Sequence, residues 1–166
     1  QERRYHSVRL GVNGRMDTMQ AVVLLAKMEI FDDELQKRQK VAANYHTKLR
    51  ALENEGLLAL PRVESYNTSS WAQYTLRVAN RDDVQAAMKT RGIPTAIHYP
   101  VPLFEQPAYL SNNNNCPETL RAAQEVMSLP IHPYLKLEEQ KEIVVALTDS
   151  LSDSEEYMKQ RNIVGK

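Results

Sequence analysis

An α+β fold led by a long helix is the architecture this sequence predicts, and three observations predict it. Residues 16–52 contain neither proline nor glycine and repeat apolar side chains at helical steps. Two later segments, 71–78 and 127–130, read as strands, the first from its aromatic and β-branched residues. Polar segments with helix start and stop residues surround them. Composition agrees with a packed domain: 42% of the 166 residues are hydrophobic and 25% charged, which suits one ordinary domain with or without appendages.

The leading helix places Met16, Met19, Val23, Ala26 and Ile30, then Phe31, Leu35, Ala42, Tyr45, Leu49 and Leu52, on one face. Asp17 stands where a carboxylate caps a helix or complements its dipole, and Glu55-Gly56 ends the run. A helix of that length spans roughly 55 Å at ~1.5 Å per residue, so it bends or crosses a domain boundary. Residues 21–26 are apolar nearly all round, the mark of a segment covered on several sides by a second domain or subunit. The strand over 71–78 alternates at Tyr74, Leu76 and Val78. A helix follows through Met88, with Asn80 as N-cap and Gly92 as stop. Residues 93–98 form a second short strand in which Pro94 implies an edge or a strand start. Tyr99-Pro100-Val101-Pro102 forces extended chain. Pro117 starts a helix through Val126, the short strand 127–130 follows, and a last helix ends near Leu151. The expected division is a linking segment with the long helix (1–56), a small α+β domain (57–151) and a polar, frayed tail (152–166).

Charge and motifs narrow the function. Lys plus Arg is 21 and Asp plus Glu is 21, a balance that argues against a dedicated nucleic-acid binder. The single cysteine, Cys116, excludes an intrachain disulfide and points to a reducing, cytoplasmic compartment. No apolar run approaches the ~18 residues of a membrane span, and no secretory signal pattern opens the chain. The four histidines lack metal-ligand spacing, so no metal site is expected. Lys27 sits in the apolar part of the helix, and its stem is expected to cover apolar surface while its ammonium reaches water.

Three short segments stand out. Gly11-Val12-Asn13-Gly14-Arg15-Met16-Asp17 sets an Asn and an Arg at a helix start; it reads either as an anion grip or as an ordinary turn into a capped helix. His98-Tyr99-Pro100 presents two hydrogen-bonding side chains on braced chain, either for an oxygen-rich ligand or as a structural turn. Ser128-Leu129-Pro130-Ile131-His132-Pro133 reads as a rigid structural loop.

The order of Tyr5-His6, the Gly11–Asp17 motif, Gln20-Ala21, Arg38 with Tyr45, Gly92-Ile93-Pro94-Thr95-Ala96-Ile97-His98-Tyr99-Pro100 and Ser128-Leu129-Pro130-Ile131-His132-Pro133 resembles the carboxy-terminal part of the DegT/DnrJ/EryC1/StrS aminotransferases. The resemblance implies the small domain of the aspartate-aminotransferase (fold type I) architecture, with a small, mainly antiparallel sheet. It implies a pyridoxal 5'-phosphate enzyme that moves an amino group, from glutamate, to a keto-sugar nucleotide, as a homodimer. The run 1–21 and Ala72-Gln73-Tyr74 are most similar to members that act on a UDP-linked 2-acetamido-3-keto-uronic acid for O-antigen lipopolysaccharide.

By the same resemblance Asn13 bonds the cofactor phosphate across the dimer interface, Arg15 contacts the sugar carboxylate, and His98 and Tyr99 line the nucleotide-sugar pocket. Gly14 departs from the family, where a larger residue is common. No residue here matches the family's Schiff-base lysine, so the chain is expected to be a fragment and inactive alone. A different expectation is a non-catalytic α+β interaction module derived from that domain.

Overall fold

A computed structural model describes residues 14–106 and 116–164, with side chains to residue 154. The described elements are α1 (Thr18–Asn54), β1 (Tyr74–Arg77), α2 (Arg81–Thr90), a 3-10 turn (Leu103–Glu105), α3 (Pro117–Glu125), β2 (Val126–Leu129) and α4 (Leu137–Val164). Two compact units divide between Asp33 and Glu34, inside α1 and not at residue 56. The second half of α1 goes with the α+β body because Val41, Ala42, Tyr45, Leu49 and Leu52 are part of its core.

In the first unit, α1 begins as its sequence dictates. The Asp17 carboxylate accepts the Met19 and Gln20 N–H groups at 2.8 and 3.3 Å, satisfying donors that have no partner within the helix. The apolar residues that follow are largely exposed, Met19 at 79% and Leu25 at 69%.

In the second unit, β1 and β2 pair antiparallel, Tyr74 opposite Leu129 and Leu76 opposite Met127. Those four side chains are buried, while Thr75 and Arg77 alternate onto the opposite face. The first strand is shorter than the 71–78 that the sequence implies, and the second keeps its length but starts one residue earlier. Single bridges extend the sheet on both sides, Ala59 to Arg77 and Ala96 to Ser128. The segment 93–98, expected as a strand, contributes only that one bridge. Pro94 has no N–H to donate, and β2 is only four residues long.

Glycine at positive φ ends two helices, at Gly56 and Gly92, both at +76°. After α1, Gly56 N–H bonds Glu53 O and Leu57 N–H bonds Leu52 O; after α2, Gly92 N–H bonds Lys89 O and Ile93 N–H bonds Met88 O. Both are Schellman ends, which satisfy terminal carbonyls and return the chain toward the core. Asn80 is the N-cap of α2, but its side chain makes no capping bond. The Arg81 side chain, only 7% exposed, instead reaches back to the Ala123 and Val126 carbonyls at 3.2 Å, at the end of α3. At the far end of the chain, α4 continues helical through the polar stretch expected to fray.

Candidate functional site

The outer sheet face holds the candidate site. Ala96 is bridged to Ser128, Thr75 faces Ser128 from the other side, and His98 lines one hollow together with Ala96 and Ser128. The Thr75 and Ser128 hydroxyls bond each other at 2.8 Å. Small side chains at Ala72, Ala96 and Ser128 leave a hollow of about 280 Å³, bounded by His98, Gln73 and Pro130. A second hollow of about 260 Å³ lies on the other side of His98, where Tyr99, Pro102, Thr119 and Ala122 line it. His98 thus belongs to both walls. Its ring meets the Tyr99 ring edge-on at 5.8 Å, and Tyr99 is 76% exposed.

Buried aromatic packing holds this face in place from behind. Tyr45 and Tyr74 pack with tilted rings, centroids 5.0 Å apart, and Tyr45 donates to the Pro130 carbonyl at 2.9 Å, bracing the hollow's rim. Burial raises the phenol pKa of both above the ordinary tyrosine range, so they remain neutral donors. His46 sits against Tyr74, its Nδ1 3.0 Å from the phenol oxygen and its Nε2 2.9 Å from the Pro61 carbonyl. Trp71 adopts φ +49°, a left-handed conformation uncommon for a bulky residue. Gln39 clamps it: its Oε1 accepts Trp71 Nε1 at 2.8 Å and its Nε2 donates to the Ser69 carbonyl. Trp71 N–H also donates to Ser69 Oγ at 3.1 Å. That clamp delivers Ala72 and Gln73 to the hollow's edge.

The sequence-derived residues fall into separate places. His98 and Tyr99 share the site. Arg15 lies in the first unit, exposed, with no bonding partner among the described residues. The helix start beside it is occupied by the Asp17 carboxylate, which takes the Met19 and Gln20 N–H groups. Asn13 lies outside the described residues. Gly14 has open space around a would-be Cβ, so nothing in the described chain demands glycine there. His132 is exposed and accepts the Tyr134 N–H at 3.2 Å, a structural turn. Lys27 is exposed. Gln73 is the site residue that composition alone did not single out; its signal was the strand alternation that buries Tyr74 and turns its neighbour outward.

Neither hollow beside His98 is lined by lysine or arginine. These walls offer no amine for a Schiff base and no cation for a phosphate, so pyridoxal phosphate does not fit them by themselves. Their chemistry is that of a neutral polar ligand: an imidazole, a phenol, a carboxamide and hydroxyls over an apolar floor. Among the described residues no group of His, Cys, Asp and Glu is arranged to hold a metal. No helix there is long and apolar enough to cross a membrane.

The model of the DegT/DnrJ/EryC1/StrS aminotransferase family matches residues 1–148. The chain is 49% identical over 149 residues to the UDP-2-acetamido-2-deoxy-3-oxo-D-glucuronate aminotransferase of Pseudomonas aeruginosa, covering 90% of the chain and 40% of that protein. It is 38% identical over 148 residues to the pleiotropic regulatory protein of Geobacillus stearothermophilus, covering 87% and 39%. The crystal structure of S. venezuelae DesV in complex with a ketimine intermediate matches with a TM-score of 0.79 and 30% identity, over 91% of this chain and 41% of that one. The chain therefore spans about two fifths of the length of the curated relatives it matches. With nine-tenths of its residues inside the family's match and a solved structure aligned over 91% of it, the chain belongs to the DegT/DnrJ/EryC1/StrS aminotransferase family.

Proposed function

We propose that this chain is the carboxy-terminal portion of a pyridoxal-phosphate aminotransferase that aminates a UDP-linked 3-keto-uronic acid for surface polysaccharide. The observation that carries the reading is the 49% identity to the Pseudomonas aeruginosa enzyme, joined to a hollow at His98 whose polar and apolar lining suits the uncharged ring of a sugar. The name of the DesV structure supports imine chemistry in a relative. When bound, the cofactor supplies the electron sink for amino-group transfer. The lysine that holds it and most of its phosphate contacts are assigned to the remainder of the full-length enzyme, with Asn13 adding one phosphate contact across a homodimer interface. Glutamate is the proposed amino donor. The site acts in the cytoplasm, where nucleotide sugars are made.

In this reading His98 and Tyr99 bind and orient the sugar nucleotide, and Arg15 grips the uronate carboxylate through two parallel charge-assisted bonds. A second reading, a non-catalytic module, draws on the regulatory name of the Geobacillus stearothermophilus relative.

One experiment separates the two. The full-length protein and its Arg15→Ala variant are assayed with glutamate on the keto-uronate and on its neutral hexose counterpart. Arg15→Ala is expected to lower kcat/KM about ten- to a hundredfold on the uronate and far less on the hexose. Arg15→Lys is expected to restore only part, since it keeps the charge and loses the fork. The isolated chain with pyridoxal phosphate is expected to form no product. Equal losses on both substrates would make Arg15 structural. An inactive full-length protein would favour the module.

A further inference from the structure

We propose that Gln73 is a specificity residue that reads the acylamino substituent of the sugar, an inference that rests on the nucleotide-sugar reading above. Three polar side chains besides His98 line the 280 Å³ hollow: Gln73, Thr95 and Ser128. Two are already engaged. Ser128 Oγ is bonded to Thr75, and Thr95 Oγ1 accepts the Gln85 amide at 3.1 Å. The Gln73 carboxamide is exposed and has no hydrogen-bond partner among the described residues. It is nevertheless well placed, because the Gln39 clamp on Trp71 fixes the chain just before it and the buried Tyr74 fixes the chain just after it.

The surroundings specify what Gln73 is free to bind. Ala72, Ala96 and Pro130 give the hollow an apolar floor next to the amide. A carboxamide carries two N–H donors and one acceptor. A donor beside an apolar floor suits an acyl group: the carbonyl oxygen accepts from Gln73 Nε2, and the methyl on the same carbon covers the floor. A hydroxyl, shorter by the acyl carbon and its oxygen, reaches neither the amide nor the floor, so the pair of features favours an acetamido over a hydroxyl substituent.

The test uses the full-length protein and two variants, Gln73→Leu and Gln73→Met. Each is assayed for kcat/KM on the 2-acetamido keto-uronate and on UDP-3-keto-glucuronate, which has a hydroxyl in place of the acetamido group. Calorimetric Kd values for the 2-acetamido-3-amino product provide a readout independent of turnover. Both variants remove the N–H donor at an exposed position, so folding is not at stake. The expected result is a roughly ten- to hundredfold loss on the acetamido substrate, a matching weakening of product binding, and less than about a threefold change on the hydroxyl substrate. With an active wild-type protein, equal losses on both substrates, or none on either, overturn the inference and leave the transaminase reading standing. A wild-type protein that turns over neither substrate defeats the transaminase reading and takes this inference with it.

Discussion

Glu125 closes α3 between two arginines, accepting from Arg77 Nε at 2.8 Å and Arg121 Nε at 2.9 Å. Burial pushes its carboxyl pKa up, but the bonds from Arg121 and Arg77, with their charges, outweigh that and hold it below the ordinary value. A carboxyl depressed in the folded state stabilises above its unfolded pKa, and that contribution is lost as pH falls through the folded one. Glu125→Gln is therefore expected to lower the urea midpoint at pH 7, with the gap to wild type narrowing as pH drops below about 4.3. A gap independent of pH would show that packing, not charge, is what Glu125 contributes. Arg81 is a buried guanidinium that pairs with the Asp82 carboxylate through Nε and donates from its Nη1 to the Ala123 and Val126 carbonyls. Its donors satisfy acceptors at a helix end that the α-helical ladder leaves open.

Helix ends set the paths between elements. Gly56 and Gly92 both sit at φ +76°, and a Cβ built at either meets nothing within 4 Å. The cost of a side chain there is conformational alone. Gly56→Ala and Gly92→Ala are each expected to destabilise by about 1 kcal/mol in urea unfolding. Gly14→Ala, with equally open space and no positive φ, is expected to stay within about 0.5 kcal/mol. Similar losses at all three would show that left-handed backbone is not what these turns require. The Gly92 turn matters for the site as well, since it starts the segment that runs through Ala96 on the sheet edge to His98.

At the scale of the whole molecule, the first unit exposes an apolar face. Met19, Val22, Leu25 and Met28 are all more than half exposed. Burying apolar surface is worth about 25 cal/mol per Å², so such a face drives association. The chain alone is expected to sediment as a species larger than its 19.0 kDa, and Val22→Glu with Leu25→Glu to return it toward the monomer. A monomer at high concentration without those changes would overturn the expectation.

Local regularities were enough to reveal much of this protein. The helical spacing through Leu52, the Asp17 cap, the stops at Gly56 and Gly92, and the proline start of α3 are decided by neighbours within a few residues, and the structure has all of them. His98 and Tyr99 were legible as a pair because adjacent prolines brace them. Three things depended on residues far apart in the chain. The unit boundary falls inside α1 because Tyr45 and Leu49 pack against strands 25 or more residues away. The segment 93–98 stays a single bridge because only Ser128 meets it. Gln73 faces a hollow because β1 turns Tyr74 inward and because Ala96 and Ser128, across the sheet, are small. Periodicity says which side a residue takes; only packing between distant segments says what it will find there.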